Sequence, residues 1–340
     1  MRQDVRKTRA SRGGALKGEA VEVLASAALQ MLMLFVIVAL GFLARKVNLM
    51  NDDFDALLSK VVMNITLPGM ILNSVLSNTQ LPPNDTIWLM LGLSTLLYAV
   101  TSVFSFIFVK LVYRGLSPRT QSAHMFVICF GNTGFIGFAV IGAMLGPDAV
   151  LYGAIYNIPF NLFIFSVGVT FIASTGADAP NEGQTWGKKL AMIGKKLISP
   201  ALISCLVAMG LALCHITDTG FFGQTCDLLG QMTVPASMLI IGSSLAKMPL
   251  KDMVNDGWSY LTSFMRLIAT PLAAYFIFGL FVPDRFLLTV IALLSAMPAA
   301  SLGTMLCVAY GGDVKALSRT TFISTVLSIA TLPIVALVVV

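Results

Sequence analysis

Two stretches of this chain put ligand-holding groups inside long apolar runs. The first is Phe130-Gly131-Asn132-Thr133-Gly134-Phe135-Ile136-Gly137. Glycines let a backbone leave helical angles and approach a ligand closely. Asn132 and Thr133 supply hydrogen-bond donors and acceptors. A helix that restarts after such a break presents free N–H groups and a partial positive charge, which suits a carboxylate. The second stretch is Ala296-Met297-Pro298-Ala299-Ala300-Ser301-Leu302-Gly303. There Pro298 removes a backbone donor and clashes with the preceding turn. The chemistry on offer is non-covalent binding of a small anion, by Asn132, Thr133 and Gly134 on one side and Met297, Pro298, Ala299 and Ser301 on the other. Taken singly, either stretch also fits tight helix packing through small residues. Two interruptions at corresponding places favour a site.

Other residues stand near these. Arg266 lies deep in an apolar run, where a charge is costly and marks a functional position by default. Its stem could equally snorkel to the membrane surface. Binding an anion and pairing with a backbone carbonyl are both open to it. Asn157 and Asn161 either reach a polar cavity or bond across helices. Pro68, Pro159, Pro235, Pro271 and Pro333 read first as structural kinks.

The chain has no Gly-x-x-x-x-Gly-Lys motif, so ATP does not drive it directly. It also lacks His-Glu-x-x-His and Gly-x-Ser-x-Gly, and its apolar runs are nearly empty of acids and bases, which disfavours an enzyme. The cysteines, Cys129, Cys205, Cys214, Cys226 and Cys307, show no paired spacing and read as small buried hydrophobes. His124 and His215 are far apart in sequence and form no ligand pattern. No metal or cofactor is implied.

These residues need elements to hold them. Apolar residues make up 57% of the 340 and charged residues 11%, against roughly a quarter charged in a soluble domain. The excess calls for lipid as solvent. The net charge of +6 is spread in short clusters between apolar runs, which sets membrane orientation rather than a nucleic-acid patch. Runs near membrane-crossing length fall at about 23–43, 54–76, 87–109, 121–145, 150–173, 201–216, 222–245, 258–281, 286–310 and 321–340. The first is too long for a signal peptide and no small-residue cleavage site follows it. The fold class expected is therefore an all-α integral membrane protein of about ten spans.

The order reads as a basic extension (1–22), a first five-span repeat (23–173), a polar loop (174–199) and a second five-span repeat (200–340). Thr66-Leu67-Pro68 in span two matches Thr233-Val234-Pro235 in span seven, and Gly146-Pro147-Asp148 after span four matches Gly311-Gly312-Asp313 after span nine. An odd number of spans per repeat inverts the second copy, and inverted repeats are a transporter signature. The loops after odd spans carry most of the basic residues, among them Arg45, Lys46, Lys110, Arg114, Arg119, Lys188, Lys247, Lys315 and Arg319. These loops are expected on the cytoplasmic side and both termini outside. The basic residues from Arg2 to Lys17 run against that assignment; the recurrent bias of the loops outweighs them.

The chain resembles the auxin efflux carrier family, which includes bacterial permeases for malate- or malonate-like acids. The likeness rests on Leu67-Pro68, Phe130 to Gly137, Asn161 to Gly168, Val234-Pro235 through Leu245, Arg266-Leu267 with Pro271, and Ser324 to Ser328 with Leu332-Pro333. The resemblance implies two inverted five-helix repeats. It implies a dimerising scaffold of spans 1, 2, 6 and 7. A transport unit of spans 3–5 and 8–10 would then move like an elevator, and substrate would bind where broken spans four and nine cross. Asn132 is then the amide contact to a carboxylate, and Pro298 marks the second crossing strand. The sequence departs from the family pattern at Ala139, where proline is usual, and at Ser199-Pro200, where Asn-Pro is frequent.

The function expected is a secondary transporter of a small organic anion, a mono- or dicarboxylate, in a bacterial inner membrane. Its partners would be the anion, membrane lipid and a second copy of itself, with no nucleic acid. A sodium-coupled carrier of another, bile-acid-like solute and a passive channel are the alternatives.

Overall fold

The computed structural model describes residues 32–77, 81–173, 200–247, 255–300 and 302–339. The basic extension, the polar loop at 174–199, the first residues of span one and Ser301 lie outside them. The described residues form helices: α1 (32–46), α2 (Asp52–Leu76), α3 (Asn84–Val112), α4 (Pro118–Cys129), α5 (Phe138–Leu145), α6 (Pro147–Ala173), α7 (Pro200–Leu213), α8 (Phe221–Gln231), α9 (Thr233–Ala246), α10 (Gly257–Phe278), α11 (Arg285–Ser295), α12 (Leu302–Tyr310) and α13 (Val314–Val339). Polar residues at loop ends start several of them. Asn51 accepts from Phe54 N at 2.8 Å, and Asp284 from Leu287 N at 3.1 Å. Each satisfies a donor that the first helical turn leaves open.

Among the described residues, α2, α3, α6, α10 and α13 are long and apolar enough to cross a membrane. They fall on expected spans two, three, five, eight and ten. Spans four and nine fail that length test for a physical reason: each is two half-helices, α4 with α5 and α11 with α12, joined by non-helical backbone. Span seven is likewise divided at Met232, one residue before Thr233-Val234-Pro235, so that Pro235 falls in the first turn of α9, where its missing N–H costs nothing. Span ten starts sooner than hydropathy suggests, at Val314, because its first two turns are polar.

Pro159 and Pro333 lie inside α6 and α13, while Pro68 and Pro271 are absorbed by π-turns. Pro68 cannot donate to the carbonyl one turn back, and the segment Val62–Thr66 before it widens so that Leu67 N bonds Val62 O. Pro271 is preceded in the same way by Met265–Ala269, with Thr270 N bonded to Met265 O. Both follow from the donor that proline lacks and its clash with the preceding turn.

Large apolar side chains cover the outside. Leu96, Val100, Val103 and Ile107 on α3, Phe276 and Ile277 on α10, and Ile334 and Leu337 on α13 are all exposed. Such a surface suits lipid, which satisfies no backbone group and so favours helices. Inside, Gly41 and Gly242 let α1 and α9 touch backbone to backbone. A methyl on Gly41 would lie 2.3 Å from Leu239 O, and one on Gly242 2.0 Å from Val38 O.

Polar contacts tie the loops together in groups. Arg45 pairs with Asp52 at 2.8 Å and Lys247 with Asp55 at 2.9 Å, joining the segments after α1 and α9. Thr120 donates to Asp313 at 2.7 Å and Arg319 lies 3.5 Å from Asp256. Asp218 N bonds Leu76 O at 3.1 Å and Asn84 reaches Leu213 O at 3.4 Å.

Candidate functional site

The two interrupted helices meet in the interior. Beyond Cys129 the chain turns extended, with Phe130 at φ −116° and ψ 113°. Gly131 pairs with Ala299 as an isolated antiparallel bridge. Asn132 N donates to Pro298 O at 2.6 Å, and Ala300 N donates to Phe130 O at 3.1 Å. The backbone groups that each break releases are thus satisfied by the other break, as a low-dielectric interior demands. Ala299 N finds Ser324 Oγ at 3.1 Å. The helix then restarts through the π-turn Thr133–Gly137, with Gly137 N on Asn132 O at 2.9 Å.

The half-helices give the crossing two electrically different sides. The C-terminal ends of α4 and α11 bring carbonyls to it. The turn Thr133–Gly137 and the start of α12 bring N-terminal amides and partial positive charge. Arg266 covers the carbonyl side. Its Nε donates to Met297 O at 3.0 Å, and its Nη1 to Cys129 O at 3.1 Å and Ile128 O at 3.4 Å. The guanidinium is 1% exposed, so snorkelling is not its role here. It neutralises two helix C-termini at once, a task its planar fork of donors suits. Gly131 makes room for it: a methyl there would sit 1.9 Å from Nη2.

On the amide side, Asn132 is 8% exposed and Thr133 fully buried. Thr133 Oγ1 donates to Asn157 Oδ1 at 2.9 Å, Asn157 Nδ2 to Gly153 O, and Asn161 Nδ2 to Asn157 O at 2.7 Å. Asn157 of α6 therefore anchors the turn across helices, while Asn161 bonds back within its own helix. Gly134 has open space where a side chain would stand. An apolar void of about 30 Å³ lies beside the turn, lined by Ile136 and Val140 with Val38, Met238 and Leu332 among others. That is room for a water rather than an acid. The structure thus brings Asn132, Thr133, Gly134, Met297, Pro298, Ala299 and Arg266 to one crossing. It sets Asn161 one turn beyond Asn157, and Ser301 lies outside the described residues.

Sequence reasoning missed Ser324, His124 and Thr262 as members of this neighbourhood. Ser324 gave a signal only through the resemblance. His124 gave none, being a single imidazole without a partner pattern. Its Nδ1 lies 2.8 Å from Thr262 Oγ1, which also meets Tyr113 Oη at 2.8 Å.

An apolar-surfaced helical protein whose interior is crossed by two interrupted, mutually hydrogen-bonded helices is an integral membrane protein of the transporting kind. Comparison with known sequences agrees: the chain belongs to the membrane transport protein family, which matches it over residues 26–336. The resemblance to the auxin efflux carriers is thereby borne out. An uncharacterized transporter of Methanothermobacter thermautotrophicus is 23% identical over 89% of this chain and 95% of its own length. Another, of Methanocaldococcus jannaschii, is 24% identical over 88% of this chain and 94% of its own. The family and these relatives are transporters, not enzymes.

Proposed function

We propose that the protein is a secondary transporter of a small organic anion, working by alternating access, with the amide side of the crossing as its binding site. One observation carries the reading: the two breaks pair with each other, and Arg266 occupies the carbonyl side, so the positive half-helix ends are what the crossing offers a ligand. Asn132 supplies a side-chain donor to a carboxylate and the first turn beyond it supplies backbone N–H groups. Thr133 and Asn157 hold that turn in place. Met297, Pro298 and Ala299 form the second strand of the site.

The finer architecture belongs to the same proposal: about ten spans in two inverted repeats, a scaffold holding α1, α2 and α7 to α9 that dimerises, and a transport unit that slides against it. Supporting it, the segments after spans one and seven are joined by ion pairs, those after spans three and nine by Thr120 and Asp313, and those after spans two and six by Asp218 N and Leu76 O. By their basic residues the odd loops are cytoplasmic.

Equilibrium binding of labelled malonate, malate and benzoate to detergent-purified protein tests the site. One of the acids saturates the wild type, and Asn132→Ala weakens it tenfold or more, about 1.4 kcal/mol. Unchanged affinity in Asn132→Ala would remove Asn132 from the site.

A further inference from the structure

A second polar feature lies one helical turn from the crossing. A cavity of about 270 Å³ opens where the loops after α3, α9 and α12 meet, lined by Leu116, Thr120, Asp256, Asp313, Lys315 and Arg319, with His124 among them. Lys315 at this cavity is exposed and the His124 ring is fully buried. With Nδ1 against Thr262, Nε2 is left buried without a hydrogen-bond partner. A buried imidazole nitrogen without a partner is costly as it stands. A proton arriving from the cavity has a place to land there, at the cost of charging a buried ring, which the acidic groups around it must offset.

The groups facing this ring from each neighbouring element are few. From α3 come Lys110, engaged with Gln121 Oε1 at 3.0 Å, and just beyond its end Tyr113, whose ring centroid is 5.0 Å from the imidazole. Burial pushes the Tyr113 phenol up to about 12, so it stays neutral wherever a histidine titrates. The start of α10 contributes Asp256. The start of α13 contributes Asp313, Lys315 and Arg319. The end of α6 brings no ionisable group, and α4 itself carries Arg119 and, at its far end, the thiol of Cys129. The two carboxylates supply the countercharge for an imidazolium.

The link to the crossing is short. His124 and Ile128 are one turn apart on α4, and Thr262 and Arg266 one turn apart on α10, a rise of about 6 Å. Ile128 O is among the carbonyls that Arg266 holds. A proton on His124 therefore adds a second buried positive charge within a turn of the first. An anion on the amide side offsets both, and binding free energies linked in this way are reciprocal.

Resting on the reading of the crossing as an anion site, we propose that His124 is the proton-binding group of this transporter, loaded from the cavity at the cytoplasmic end, and that proton and organic anion move together.

The reporter is Trp258, whose ring packs 4.7 Å from Tyr113, itself against His124. In a Trp88→Phe, Trp186→Phe background, Trp258 emission is followed from about pH 8 to about pH 3.5 without ligand and with saturating malonate, malate or benzoate. The expected result is one titration, absent in His124→Gln, and moved to lower pH in Asp313→Asn, which keeps a helix-capping side chain. At least one acid moves the midpoint to higher pH. A titration that persists in His124→Gln overturns the proposal, as does a midpoint that no acid moves. Labelled-acid counterflow in liposomes separates the two readings. Flux with an unmoved midpoint leaves the anion carrier standing and sinks the coupling; neither flux nor movement sinks both.

Discussion

Arg266 carries the largest consequence of any single side chain. A buried charge is tolerated when hydrogen bonds surround it, and here the partners are main-chain carbonyls rather than an acid. Lysine keeps the charge but cannot bridge Met297 O, Cys129 O and Ile128 O together, so Arg266→Lys lowers the melting temperature of purified protein. A loss of roughly 1–3 kcal/mol is expected from carbonyls left unpaired. Gly131→Ala acts on the same contact from the other side. Its methyl meets Nη2 at 1.9 Å, and overpacking of this kind costs about 1–3 kcal/mol. Gly134→Ala meets nothing within 4 Å, so its melting temperature stays near wild type while acid binding weakens. Equal melting of the two alanine variants would contradict the placement of Arg266. The sequence marked Arg266 as a costly charge but left snorkelling open, because its partners are backbone carbonyls and those carry no residue signature. His124 was invisible for the opposite reason: its importance comes from three loops that only the fold brings together.

At the scale of elements, the breaks in spans four and nine were legible in the glycines and in Pro298, because missing side chains and a missing donor act locally. Their pairing was not, since it joins residues far apart in sequence. The π-turns were also hidden: proline announces a kink but not how the preceding turn absorbs it. That distinction is testable at Pro271. Alanine there restores a donor to the ladder and favours an ordinary α-helical turn over Met265–Ala269, which would rotate Arg266 away from its carbonyls. Pro271→Ala is therefore expected to remain helical by circular dichroism yet bind malonate, malate or benzoate at least tenfold more weakly, about 1.4 kcal/mol. Wild-type affinity in that variant would show that the π-turn does not set the position of Arg266.

For the whole molecule, class and environment followed from composition, and the family from motifs spread along the chain. What composition could not give is how the helices hold one another. Gly41 and Gly242 bring α1 and α9 into backbone contact, and Asp55, 4% exposed, is held between Lys247, Arg45 and Ser243 Oγ at 2.7 Å. Gly41→Val drives a side chain into Leu239 O, so less of the protein elutes as a single folded species on size exclusion. The central claim, that the crossing serves an organic-anion carrier, is tested most directly by counterflow in liposomes holding purified protein. Labelled malonate, malate or benzoate outside is exchanged for the same unlabelled acid inside, with and without sodium. The account predicts saturable, sodium-independent accumulation of one of these acids, lost in Asn132→Ala; folded wild-type protein that exchanges none of them, or an Asn132→Ala variant that exchanges as fast as wild type, would contradict it.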